Sequence, residues 1–361
     1  MNEVDAILAN HQVSITEAGP ELAARVERYP RAPHAEIVKQ LSHVSGWRST
    51  VTIAMQWGMI IAALLAGAYF PYWWVYVLGG IVIGTRMQAM GVLLHEAAHY
   101  ALYRNRTLND IVGDLTVAFP IGMSMTLYRK THFRHHRFTN TDQDQDLAAQ
   151  REEGEWFEWP KTKAGLAWAM IRALLGVNTH KAWILYKHWA PWNNLFKPVD
   201  ADFPLRSRVL YVLSVIVIYG VVGWGILHDW RTTVALCLMY VVPSITLLNF
   251  INRIRATAEH VGTEQTHELN ATRTVLPTLF ERMTIAPLNV SYHLEHHLFP
   301  SVPAYQLPKL HAHLMEDQEF REHAHLTHSY IGFFREVMSL PPHAEASTTA
   351  NVEKQADDDE H

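Results

Sequence analysis

Nine histidines are spaced in a way that could hold metal: His95 and His99 in HEAAH, His132, His135 and His136 in HFRHH, His260 in RATAEH, and His293, His296 and His297 in HLEHH. On a helix, side chains three and four positions apart share a face, so each HxxHH aims its three imidazoles the same way. His260 joins the set by position, shortly after the last long apolar run. Imidazole suits iron, copper, nickel and zinc alike, so the ligand type does not name the metal. One zinc takes about four ligands, so this many imidazoles point to two metals. HEAAH alone also spells the zinc peptidase motif, in which Glu96 would polarise a metal-bound water. A single site of that kind would leave most of the nine without a role.

Acids near these clusters, namely Glu96, Glu259, Glu295, Asp144 and Asp146, are expected to accept hydrogen bonds from the second ring nitrogens of the ligating histidines. Asn252 and Arg255, near His260, read either as catalytic residues or as helix caps and topology determinants, with the second reading preferred. The remaining histidines show no matching pattern. Among them, His311, His313, His323, His325 and His328 are expected on a solvated or interfacial helix. The only cysteine, Cys237, lies in an apolar run, which excludes a disulfide framework, a thiolate zinc cluster and an iron–sulfur site. A formal net charge of −5 gives no general attraction to nucleic acid, and no nucleic-acid partner is expected.

These histidines must be positioned by apolar helices. Four stretches, Thr50–Phe70, Tyr72–Leu94, Val209–Leu227 and Thr232–Ile251, approach the roughly 20 residues needed to cross a bilayer core. FPYWW and HDWR are connections so short that the stretches must form two hairpins, which places both termini on one face. Arg48, Arg86, Arg104, Arg106, Arg129, Lys130, Arg206, Arg208, Arg253 and Arg255 lie on the terminal side, against Arg231 alone at the far turns. The positive-inside bias therefore predicts cytoplasmic termini and a cytoplasmic site. Trp73, Trp74, Trp224 and Trp230 fit an aromatic belt at the far interface. No signal peptide is apparent, and the first apolar run is expected to remain in the membrane.

The fold class expected is an all-α, multi-pass integral membrane protein: four transmembrane helices as two hairpins, with a cytoplasmic helical cap carrying the histidine boxes. A mean hydropathy of −0.05 leaves room for that cap. Residues 1–48 read as a cytoplasmic N-terminal segment, 49–340 as the membrane domain, and 341–361 as a disordered acidic tail. Residues 112–127 are apolar, too short to span and broken by Pro120, so they read as a re-entrant or interfacial segment. Residues 165–192 have helical apolar spacing with Lys and His interspersed, which fits either a helix lying on the membrane or core packing.

With HEAAH, HFRHH and HLEHH in that order and two apolar hairpins around them, the chain resembles the integral-membrane fatty acid desaturase and hydroxylase superfamily. YRKTHFRHHRFTNTDQDQD and YHLEHHLFPSVP are similar to its second and third boxes, and the likeness covers roughly residues 45 to 330. The resemblance implies a non-haem di-iron centre that uses O2 as co-substrate and two external electrons to attack an unactivated C–H bond of an acyl chain. It implies that His95, His99, His132, His135, His136, His293, His296 and His297 are metal ligands, and His260 matches the additional histidine after the last span. Ala256 stands where acyl-CoA desaturases carry an Asn that completes one metal site through water. An HPGG motif of a fused cytochrome b5 domain is missing, so a separate electron donor is expected, such as ferredoxin or cytochrome b5 with its reductase.

The implied substrate is a fatty acid, acyl-lipid or acyl-thioester reached from membrane lipid. Desaturation is the leading expectation. Hydroxylation, or decarboxylation of a free acid to a 1-alkene, would use the same histidines.

Overall fold

A computed structural model describes residues 26–141, 143–144, 156, 159, 161–177, 179–200 and 202–340. Asp146, the tail 341–361 and the first 25 residues lie outside these. The chain is mostly helical. After α1 (Ala35–Leu41), two long apolar helices, α2 (Gly46–Tyr69) and α3 (Trp73–Ala98), form a hairpin through Pro71, a residue that cannot continue a helix. α3 has two halves. Trp73, Trp74, Val77, Leu78, Ile81 and Val82 are exposed, whereas from Ile83 to Ala98 nearly every side chain is buried. Arg86 lies inside α3 rather than at its flank, donating to Gln56 Oε1 at 3.2 Å.

α4 (Arg106–Gly113) runs through a π-helical turn and a 3-10 turn to Ile121, and then meets α5 (Met125–Phe138) at an 89° bend. The segment expected to be re-entrant or interfacial takes this bend, with Gly122 at φ 79° allowing the reversal. α6 (Lys163–Leu174) and α7 (Thr179–Trp189) cover the expected amphipathic stretch, and α6 has one face in the core. Ala169 and Ala173 are buried in a core with Ile254 and Ala258, while Trp168 and Leu175 on the other side are 59% and 67% exposed.

α8 (Leu205–Ile245) reverses within its span. Asp229 leaves helical geometry at φ −150°, ψ 87°. Tyr211 packs on Phe119 with ring centroids 5.4 Å apart, and the Tyr240 hydroxyl donates to the Pro120 carbonyl at 2.9 Å. A straight helix would hold those two tyrosines roughly 44 Å apart. Only a hairpin at the expected HDWR turn brings both to one place.

The fourth apolar stretch, expected unbroken to Ile251, is interrupted at Thr246 (φ −111°, ψ −82°), three residues after Pro243. α9 (Leu247–His260) starts there. The seam between α3 and this region is tight. A Cβ on Gly84 would meet Leu247 Cδ2 at 2.9 Å and Pro243 Cβ at 3.1 Å, so only glycine lets the backbones approach this far.

Gly46–Tyr69, Trp73–Ala98 and the stretch Leu205–His260, which reverses at Asp229 and breaks at Thr246, are long and apolar enough to cross a membrane, and the bent pair around Gly122 would add a further crossing if counted as one. Ile216, Val217 and Leu227 on α8 are 62%, 63% and 85% exposed. Contiguous apolar surface of this kind is not left facing water. The molecule is a membrane protein.

The C-terminal part forms a cap over the helix ends. α10 (His293–Leu298) and α11 (Leu307–Leu314) pack around Leu294, Leu310 and Phe320, and α1 joins that core through Val38 and Leu41, while α12 (Tyr330–Met338) packs through Phe333 and Val337 into a second core with Ile254 and Ala258. The expectation of an all-α chain needs one correction. β1 (Thr274–Leu276) pairs in parallel with β2 (Leu326–His328), a small sheet buried at Val275 and Thr327. The five histidines expected on one solvated helix are spread through this cap instead. His325 bonds Glu336 at 2.7 Å, and His311 bonds the buried Glu295 at 2.5 Å.

Candidate metal centre

Among the described residues, all nine histidines converge, and they divide into two groups. His95, His99, His132, His136 and His296 form one; His135, His260, His293 and His297 form the other, with the candidate ligand atoms of each group within 4.8 Å of one another. The HxxHH boxes are shared out crosswise. In α5 the i, i+4 pair His132 and His136 serves the first group while His135 serves the second. In α10 the pair His293 and His297 serves the second while His296 serves the first.

Each cluster is held by hydrogen bonds that the local sequence provides. α3 ends at His99 because Tyr100 takes φ 57°, and the Ala101 N–H bonds back to the Glu96 carbonyl at 2.9 Å, a Schellman-type stop. Arg129 then ties α5 to that end. Its Nε donates to Ala98 O at 2.9 Å and its Nη2 to Ala97 O at 3.0 Å and Asp110 at 2.8 Å, which fixes His132 against His95 and His99. In the second group, Arg273 donates from Nη1 to Ala258 O at 2.6 Å and Val261 O at 2.7 Å, closing α9 around His260. Thr274 on β1 holds α10 by accepting from Leu294 N at 3.2 Å.

The ring nitrogens fit metal coordination. Nε2 of His132 lies 2.7 Å from Nε2 of His99 and 3.1 Å from that of His136, and His293 and His260 meet at 3.1 Å. Metal–imidazole bonds of about 2.1 Å would put adjacent corners of a coordination shell at roughly 3 Å. Nε2 of His297 is buried without a hydrogen-bond partner, and a metal bond would satisfy it. Burial, then the charge of neighbouring imidazoles, holds His293, His296 and His297 well below the usual histidine pKa. They are therefore neutral near pH 7, the form that binds metal.

The acids are placed unevenly. Asp144, fully buried, bonds His135 Nδ1 at 2.8 Å, as expected of a carboxylate that orients a ligand. Glu259 is 3.8 Å from His293 Nδ1, close in charge but too far for a hydrogen bond. Glu295 does not support a box histidine at all. It holds His311 and Thr274, because its place one residue before His296 turns it to the opposite face of the helix. Glu96 is likewise occupied: its Oε2 accepts from Ala304 N at 2.8 Å, so it joins α3 to the cap and is not poised over a metal-bound water.

A family model described as fatty acid desaturase matches residues 71–330. The chain belongs to the fatty acid desaturase family. This desaturase-family oxidoreductase is similar to the dihydrorhizobitoxine desaturase of Bradyrhizobium elkanii, 28% identical over 311 residues that cover 83% of this chain and 84% of that enzyme. It is similar to the chloroplastic omega-6 fatty acid desaturase of Brassica napus, 25% identical over 298 residues, 78% of this chain and 62% of the relative. The sn-1 acyl-lipid omega-3 desaturase (ferredoxin) of Synechocystis sp. is 23% identical over 264 residues, with 69% and 70% covered. The boxes with which the sequence resembles the family are the ones the fold gathers.

Beside the histidines lies a cavity of about 180 Å³. His95, His132, His135, His260 and His293 all reach it. So do Gln88 and Asn249, which did not stand out as site residues in the sequence, and Asn252 and Arg255, for which the sequence left a catalytic role open beside the reading as caps. The available signal was spacing: stepping back from His260 by helical turns meets Ala256, Asn252 and Asn249 on one face.

Proposed function

We propose that the chain is a membrane-embedded non-haem di-iron desaturase that introduces a carbon–carbon double bond into a fatty acyl chain. The observation that carries this reading is the gathering of nine histidines into two adjacent groups beside a cavity partly walled by apolar helix. Two iron ions held there would supply an oxidant derived from O2 that is strong enough to break a methylene C–H bond. The overall change balances with two electrons and two protons: O2 accepts them together with two hydrogens of a –CH2–CH2– unit, leaving –CH=CH– and two waters. The electrons come from a separate donor of the ferredoxin or cytochrome b5 kind.

The protein's part is to hold nine imidazoles at fixed positions and keep water away from the reacting carbons. Met87, Leu94, Ile121 and Met123 provide a wall for the chain, and Asp144 fixes the ring of His135. The apolar helices form four spans in two hairpins, with the termini and the site on the cytoplasmic side. The reversal of α8 at Asp229 and the arginines near the site ends of the helices support this topology. The exposed Trp73, Trp74, Trp224 and Trp230 then mark the far interface.

The test is mass spectrometry of lipids from cells expressing the protein or its His135→Ala variant, with iron counted on both purified proteins. A new double bond and about two irons per chain, both reduced in the variant, are expected. One zinc, little iron and unchanged lipids would overturn the proposal.

A further inference from the structure

The cavity has two unlike walls. α3 and the bend before α5 present Met87, Leu94, Ile121 and Met123, whereas α9 presents Asn249, Asn252, Arg255 and Glu259. A chain that only needed to thread a hydrocarbon past the metals would gain by being apolar on both sides, since an unpaired buried polar group costs free energy. Arg255 is the sharpest exception. Its side chain retains 21% exposure and lines the cavity, and its one ion-pair partner among the described residues, Glu259, lies at 3.5 Å, the outer limit of a hydrogen bond. Its Nε is buried with no hydrogen-bond partner among the described residues. A guanidinium carries five N–H donors in a fork matched to a carboxylate. Across the cavity, Gln88 Oε1 is also buried without a partner.

We infer that Arg255 is the anchor for a carboxylate on the substrate, which enters as a free carboxylic acid with its head group at α9 and its hydrocarbon chain along the α3 wall. This rests on the reading of the chain as a fatty acyl oxidase and narrows it. Glu259 sits between the guanidinium and His293, 3.5 Å from one and 3.8 Å from the other. A carboxylate on Arg255 therefore brings the carbons nearest the head group to the histidines. Esters and thioesters, which lack the second anionic oxygen and carry a bulky group on the first, forfeit the paired hydrogen bonds. Arg255 is thus a binding and specificity-determining residue, with Asn252 as a further polar contact for the head group.

The test is equilibrium binding of dodecanoic acid and of methyl dodecanoate to the purified full chain in detergent at pH 7.5, with iron counted on each preparation. Wild type should bind the acid at least tenfold tighter than the ester. Arg255→Gln should remove that preference by weakening acid binding about tenfold, with iron content and ester binding unchanged, and Arg255→Lys should restore part of it. Equal binding of acid and ester by an iron-loaded wild type would overturn the anchor and leave the oxidase standing, as would an Arg255→Gln variant that keeps the preference. A wild type that binds neither ligand and holds no iron would overturn both readings. An Arg255→Gln protein that loses iron would show instead that Arg255 serves the metal site through Glu259, which also overturns the anchor.

Discussion

Two helices of this protein end on histidines of the two clusters, and their ends are closed by the same device. α3 stops at His99 and α9 at His260; in each case an arginine from later in the chain donates to the last carbonyls, pairs with a carboxylate and lies over an aromatic ring. Arg129 uses Asp110 and Tyr100, with the guanidinium 3.8 Å from the ring centroid; Arg273 uses Glu336 and Phe333, at 5.1 Å. The difference is in what the helices show to the cavity. α3 offers mostly hydrocarbon and α9 mostly polar groups. One framework for holding imidazoles is thus combined with two walls of opposite character, which gives an amphiphilic ligand only one good orientation.

The comparison breaks most directly at the histidines. His99→Ala and His260→Ala should each lower activity at least about 100-fold, beyond the loss typical of a group that merely orients a ligand. Iron counts then separate the groups: each variant should retain about one iron per chain if the groups bind independently. Loss of both irons from either variant would mean that the groups form one cooperative unit.

Next come the arginines. Arg273 is fully buried and Arg129 is 12% exposed, so Arg273→Met should cost more, about 3–5 kcal/mol against about 1–3 kcal/mol for Arg129→Met. Thermal unfolding in detergent should show the larger fall in midpoint for Arg273→Met; equal shifts would mean the two closures do not differ as burial indicates. Burial opposes ionisation of Glu336, but the hydrogen bond from His325, the charge of Arg273 and the Thr327 hydroxyl outweigh it and bring its carboxyl down to about 2. Its folded value lies below the ordinary carboxylate value of about 4.3. The stabilisation is therefore complete above that range and is lost as pH falls toward 2.

A smaller effect tests the acids. Asp144→Asn should weaken metal binding or activity about 10–100-fold, because the amide cannot hold His135 in the same way. Glu295→Gln should leave iron content unchanged, since Glu295 is bonded to His311 and Thr274. If Glu295→Gln strips iron and Asp144→Asn does not, the assignment of supporting roles is reversed.

The nine histidines could be read from the sequence because helical spacing makes a local pattern, and HxxHH repeated twice with HxxxH has few competing explanations. The membrane helices were legible from the length of the apolar runs. The partition of the boxes was not, since His135 and His136 are neighbours in sequence and only the crossing of α5 with α9 and α10 sends them to different groups. Asn252 and Arg255 read as caps because polar residues at the end of an apolar run usually are; their role at the cavity depends on the break at Thr246, which starts a new helix and sets its phase. The β1–β2 pair could not be seen either, because each strand has three residues and its partner is about fifty residues away.

Glu96→Gln tests the smallest effect and the oldest ambiguity in the chain, the peptidase spelling of HEAAH. If Glu96 activated a metal-bound water, Gln would abolish catalysis, because an amide cannot take up the proton. In the structure the carboxylate accepts the Ala304 N–H at 2.8 Å and stands 3.8 Å from His95 Nδ1. A glutamine oxygen can accept the same bond, so the substitution removes only the charge that strengthens it, about 1 kcal/mol. The variant should keep its iron, lose a few degrees of unfolding temperature and retain activity to within a few-fold. A complete loss of turnover with iron intact would give Glu96 a chemical role that its contact with the cap does not explain.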